Sequence, residues 1–145
     1  RILTSLATLS GFEMANERLA PGLDSGDQED EHSCFSDTTR NDFIYNLQGI
    51  KNIYYGDHEG FDGAGLNELI VSVAPKLSQK IVSLLNQAES SLHGIEQPFD
   101  LTLKSDKGSQ SRKKAERAYR ALIKLSEGFI EAGAALGVRV IVPKG

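Results

Sequence analysis

Cysteine is nearly missing from this chain of 145 residues: Cys34 is the only one. An internal disulfide is therefore excluded, and a single thiol says nothing about the redox compartment. Long apolar runs are missing as well. None approaches the ~18 residues that a membrane span needs, and no secretory leader is visible. There is no Walker-type loop, no dinucleotide fingerprint, no serine in a nucleophile elbow and no zincin His-Glu-x-x-His, so phosphate-loop, Rossmann, triad and zincin chemistries are not indicated. The net charge of −4 argues against general nucleic-acid binding. Basic residues are absent between Arg18 and Arg40, and that gap frames the most informative part of the chain.

What is present is the composition of a soluble globular domain, 39% hydrophobic and 25% charged, and long enough for one domain with a real core. Four helical patterns stand out. The first covers about residues 2–20, with Ile2, Leu3, Leu6, Leu9, Phe12, Ala15 and Leu19 near a 3.6-residue period and Pro21-Gly22 as its stop. The second runs from Asp37 or Thr38 to Tyr55, with Ser36 and Asp37 as caps and Phe43, Ile44, Leu47, Ile50, Ile53 and Tyr54 inward. After a glycine-rich loop at 56–65, the third spans 66–93 and is kinked or divided at Pro75. Residues 94–110 read as polar and irregular. The fourth covers 111–136, ending at Gly137. The tail 138–142 alternates like a strand but has no partner strand, so an extended arm packed on the helices is expected. These patterns predict an all-α fold, an antiparallel four-helix bundle. The chain opens on Arg1 and enters a helical pattern without a cap, which reads as part of a longer protein.

The segment from Leu23 to Thr39 places Asp24, Asp27, Glu29, Asp30 and Glu31 within eight residues, followed by His32 and Cys34. Carboxylates so crowded must be offset by water, a basic neighbour or a cation. Asp27, Glu29, Asp30 and Glu31 supply the oxygens that hard cations require, and His32 the nitrogen that iron or zinc prefers. On spacing alone the segment reads as a solvated acidic loop feeding negative charge to the start of the second helix. Glu13, Glu17 and Arg18 before it, and Asp37, Arg40 and Asp42 after it, are polar groups on flanking elements. The basic run at 104–120 reads as a solvated helix face; its sharper alternative is that it neutralises the acidic loop. Cys34, ringed by acids, reads as a small buried cysteine. Asp57–Glu68 only faintly echoes a calcium loop, since Phe61 and Asp62 break the pattern. His93 reads as a helix C-terminal cation.

Three stretches carry a resemblance. Leu9-Ser10-Gly11-Phe12-Glu13-Met14-Ala15-Asn16-Glu17-Arg18-Leu19, the run Asp27-Gln28-Glu29-Asp30-Glu31-His32-Ser33-Cys34-Phe35-Ser36-Asp37, and Asn46-Leu47-Gln48-Gly49-Ile50 onward to Gly56 resemble the imelysin-like family, in its iron-regulated protein A branch. The resemblance spans roughly residues 3–56. It implies a bacterial cell-envelope protein, periplasmic or anchored to the outer membrane of a Gram-negative cell through a lipid on a missing N-terminus. It also implies two similar helical bundles, of which this chain is the later. The family's Gly-x-His-x-x-Glu belongs to the earlier half; the nearest approach here, Ser91 to Glu96, lacks the leading glycine. The resemblance thus implies iron, or an iron-bearing ligand, bound against the N-terminal half. Asp27, Glu29, Asp30, Glu31 and His32 are the metal candidates, and Glu13, Arg18, Asp24 and Asp37 the interface or ligand candidates. Zinc and calcium are the other candidate cations. A metal-dependent peptidase and a metal-free scaffold are the alternatives.

Overall fold

The computed structural model describes residues 1–143 and is mostly helical. One continuous helical column starts the chain: α1 (Ile2–Ala7), a π-wound segment (Thr8–Leu19) and α2 (Ala20–Ser25). A single turn of 3-10 helix (Gln28–Asp30) follows, then α3 (Thr39–Tyr55), a hairpin of β1 (Asp57–His58) and β2 (Phe61–Asp62), and α4 (Leu66–Val73). α5 (Pro75–His93), the short α6 (Asp100–Leu103) and α7 (Gln110–Ala135) complete the order. α7 is the central element, packed against α5 on one side and against α1 and the π segment on the other, while α3 lies outside, on α5 and α4.

The first column departs from the sequence expectation in two ways. Its π winding uses i→i−5 bonds, as in the Ala20 amide to Ala15 O. More residues then fill each turn, and the buried positions are Leu6, the pairs Ser10-Gly11 and Met14-Ala15 four residues apart, and Leu19. Leu9 and Phe12, which a 3.6-residue period brings inward, are only half-buried, and Ile2 is exposed. Pro21 does not end the helix, which continues to Ser25 and stops at Gly26, in the left-handed region at φ 73°. Proline lacks an amide donor, so it is tolerated in the first turn of α2, where bonding passes from the π to the α register.

The other elements follow the expected pattern with local corrections. Phe43, Leu47, Ile50 and Tyr54 face inward from α3, but Ile53 is exposed. The cap of α3 is Thr38, not Ser36 or Asp37, and it makes no side-chain capping bond. Pro75 divides the third pattern into two abutting helices, with Ala74 extended between them. The glycine-rich loop is a hairpin: Asp57 faces Asp62, His58 faces Phe61, and Glu59-Gly60 turn with positive φ, as tight hairpins favour. Residues 94–110 are less irregular than read. Ile95, Phe99, Thr102 and Leu103 are buried, which docks α6 onto α7. Gly137 ends the fourth helix with the Val138 amide on Gly133 O at 2.9 Å. The tail then runs back as an arm, with Val140 and Val142 packed on the core.

Candidate functional site

The acidic segment leaves α2 at Gly26, crosses the end of the molecule and enters α3. Local polar bonds shape it. Asp27 caps the 3-10 turn by accepting the Glu29 amide at 3.0 Å. The Ser33 amide donates to Thr39 Oγ1 at 3.0 Å, and the Asp37 amide returns to Ser33 O at 3.0 Å. Asp37 holds φ 54°, a conformation that aspartate tolerates better than most residues. Asp42 collects two hydroxyls on one oxygen, Ser33 Oγ and Thr38 Oγ1, the latter at 3.1 Å.

Within this frame the candidate residues separate. Asp24, Asp27, Glu29, Asp30 and Asp37 are exposed. Glu13 and Arg18 pair on the π segment at 3.0 Å. His32 is exposed at its rim, its ring 6.1 Å from that of Phe43, and burial of its inner edge together with the Arg18 charge lowers its pKa. Cys34 is a half-buried free thiol, less enclosed than expected. Beside it Phe35 is 96% exposed, an apolar ring with nothing to cover it in the described residues.

Glu31 is the exception among the acids. It is 4% exposed, and neither carboxylate oxygen has a hydrogen-bond partner. Burial, then the charges of Asp37 and Asp100, push its carboxyl above the usual carboxylate range. Thr39 stands close enough to offset this in part, but short of hydrogen-bond geometry, and Lys104 adds attraction. Asp100 repeats the pattern on α6: Oδ1 is buried without a partner, while Oδ2 accepts Lys104 Nζ at 2.6 Å. That bond and the acidic surroundings raise the Lys104 pKa. Nothing in the sequence marked Asp100, because it lies in a segment read as irregular and meets Glu31 only through the docking of α6.

Among the described residues no three His, Cys, Asp or Glu side chains converge closely enough to hold a metal ion. The loop by itself therefore offers one buried carboxylate without partners and a fringe of exposed ones. The basic run does not neutralise it by direct pairing, since none of the five acids from Asp24 to Glu31 makes an ion pair among the described residues. Nor is that run wholly solvated. Arg112 is 6% exposed and donates to the carbonyls of Leu23 and Leu103, the latter at 2.8 Å, joining the end of α2 to the end of α6.

A pH dependence follows from Glu31. In the unfolded chain its pKa is near ~4.3; in the folded chain it is higher. Below the lower value both states are protonated and no penalty exists. As pH rises through the folded pKa the unfolded state sheds its proton more readily, so this residue lowers stability towards neutral pH. Glu31→Gln removes the buried charge and its repulsion with Asp37 and Asp100. We expect a gain of about 1–2 kcal/mol at pH 7, shrinking to nothing below about pH 4, in urea titrations at several pH values. A loss at pH 7 would mean that the ionised carboxylate has a partner.

Comparison with known proteins agrees with this architecture. The imelysin family profile matches residues 1–127. A crystal structure of an imelysin peptidase from Bacteroides ovatus aligns with a TM-score of 0.71 at 20% identity, over 88% of this chain. The chain spans 36% of that protein, and the likeness speaks for the fold. No curated protein matches the chain.

Proposed function

The chain belongs to the imelysin family, and from that premise we propose that it is the later helical half of an iron-regulated cell-envelope protein. Its four helical columns form an antiparallel bundle, one of two similar bundles in the full-length protein. The proposed setting is the periplasm, or the outer membrane of a Gram-negative bacterium, in service of iron uptake. Its task is to bind iron, or an iron-bearing ligand, where the two halves meet.

The observation that carries this reading is Glu31, a buried carboxylate whose two oxygens have no partner among the described residues, in a loop that also carries the exposed Asp27, Glu29, Asp30 and His32. A buried ionised carboxylate demands compensation, and a cation supplies it. Carboxylates contribute charge and His32 a nitrogen that favours iron or zinc over magnesium. Since the loop presents fewer than three converging ligands, the remaining ones come from the N-terminal half. Open apolar surface at the loop supports a partner there: Phe35 is exposed, as is Tyr45 on α3. Glu13, Arg18, Asp24 and Asp37 stand at the same end as polar contacts for the partner or the ligand.

Calorimetric titration of iron(II) and zinc into this chain, alone and with the N-terminal half, tests the reading. Binding is expected only with both halves present, and Glu29→Ala, Asp30→Ala and His32→Ala together should weaken it at least about tenfold, or 1.4 kcal/mol. Unchanged affinity in that triple variant would remove the loop from the site. The solved relative is an imelysin peptidase, which favours a second reading, a metal-dependent peptidase whose catalytic metal sits in the other half. Peptide hydrolysis by the joined halves, lost on chelation and restored by zinc, would select it.

A further inference from the structure

Between α5 and α7 the surface changes sign, and Arg120 there also lines a neighbouring groove that Asp24 reaches. A groove of about 650 Å³ runs between the two helices. One wall is a cationic stripe, Arg117, Arg120 and Lys124, at i, i+3 and i+7 of α7 and therefore on one helix face. At 1.5 Å per residue the stripe extends about 10 Å. The facing wall is uncharged: Ser83, Asn86 and Ser90 repeat at i, i+3 and i+7 of α5 and present hydroxyl and amide groups. Val82 and Ala121 are the apolar residues of the lining. No carboxylate among the described residues lines the groove.

Elsewhere on the helices several bases are paired with acids, as Lys51 is with Glu89 and Lys80 with Glu131. Arg117 and Lys124 make no ion pair among the described residues, and Arg120 meets Glu116 only at 3.7 Å with both side chains largely exposed. In a chain of net charge −4, three cations set against hydroxyls and amides form a concentrated positive field. A protein helix would find only the small side chains Val82 and Ala121 as apolar partners for its anchors. A nucleic-acid strand would find no aromatic platform for its bases.

We propose that the α5–α7 groove binds a small hydroxylated oligoanion, with two or three carboxylate or phosphate groups spread over about 10 Å. The α7 cations take the acid groups through charge-assisted hydrogen bonds. Ser83, Asn86 and Ser90 take the hydroxyl and ester oxygens. The site stands apart from Glu31 and does not depend on metal binding there.

The test is calorimetric titration of the chain with citrate and, separately, with tripolyphosphate. Saturable binding of at least one is expected, and which one binds identifies the acid group. The affinity should fall as salt rises from about 0.05 M to about 0.5 M, and about tenfold or more in the double variant Arg117→Gln/Lys124→Gln. Arg117→Lys/Lys124→Arg keeps the charges and should bind, which guards against a change in folding. Lys107→Gln, in the neighbouring groove between α2 and α7, should bind like the parent. Absence of saturable heat with both anions, equal affinity in the glutamine double variant, or an equal loss in Lys107→Gln overturns the proposal.

Discussion

Arg112→Ala is expected to destabilise the chain by about 3–4 kcal/mol, the largest single effect we anticipate outside the aromatic core. The side chain is 6% exposed and has no carboxylate partner among the described residues. Its guanidinium instead serves three carbonyls. Nη1 donates to Leu23 O in the last turn of α2, Nη2 to Leu103 O at the end of α6 at 2.8 Å, and Nε to Ser105 O at 3.4 Å. Carbonyls at helix C-termini are orphaned acceptors carrying partial negative charge, so one planar cation satisfies two helix ends at once. Removing it strands these acceptors, at about 1–3 kcal/mol for each that water cannot reach. Arg112→Met keeps most of the aliphatic stem and should fall within about 1 kcal/mol of alanine if the donors dominate over packing. Arg112→Lys should recover less than half, because an ammonium cannot fork between two carbonyls. Urea unfolding of the three variants decides the point; losses within about 0.5 kcal/mol of the parent would show that the clamp carries no weight. Hydrogen exchange should quicken over Gly26–Asp30 in the alanine variant, because the clamp anchors the residues from which the acidic loop departs.

The second large effect concerns Gly11. The π segment and α7 approach so closely there that a Cβ on Gly11 would lie 2.6 Å from Ser126 Oγ and 2.7 Å from its Cβ. Ser126 is not free to yield. Its hydroxyl donates across the interface to Ala7 O at 2.7 Å, and its Cβ is fixed to the backbone of α7. Gly11→Ala should therefore cost about 2–3 kcal/mol by overpacking, although alanine is the better helix former. Ser126→Gly makes room but forfeits the hydrogen bond and adds a flexible residue to α7, at about 1–2 kcal/mol by itself. The double variant should be more stable than the sum of the two losses predicts, with a coupling of about 1 kcal/mol or more. Strict additivity in this cycle would mean that the helices separate without resistance.

Much of the architecture was legible because helical periodicity is local. The second, third and fourth segments carried most of their buried apolar residues at helical spacing, although Leu69 and Val73 of the third face outward, and Pro75, Gly56 and Gly137 punctuated them through their own backbone limits. The divided third helix and the returning tail followed from the same chemistry. The first segment was misread for an equally physical reason. The α period sets its phase along the chain, whereas the segment is π-wound where it packs on α7, with Ser10, Gly11 and Met14 inward and Ser126 reaching Ala7 O.

The candidate site divides in the same way. The identity of the acidic residues, their crowding and the lack of any base between Arg18 and Arg40 are properties of the sequence, and they determined where to look. The sequence does not distinguish Glu31 from its neighbours. That came from the docking of α6, which buries Glu31, brings Asp100 beside it and leaves both short of partners, while Asp27, Glu29 and Asp30 remain in water. Similarly, Arg112 is one of seven bases between Lys104 and Arg120 when read along the chain, yet the fold turns it inward to the ends of two helices and turns Arg117 and Arg120 outward to a groove. Composition and period determined the helices and the charge of each segment, because those depend on neighbours along the chain. Which charge is buried, clamped or free was decided by tertiary structure, because desolvation and pairing depend on residues tens of positions away.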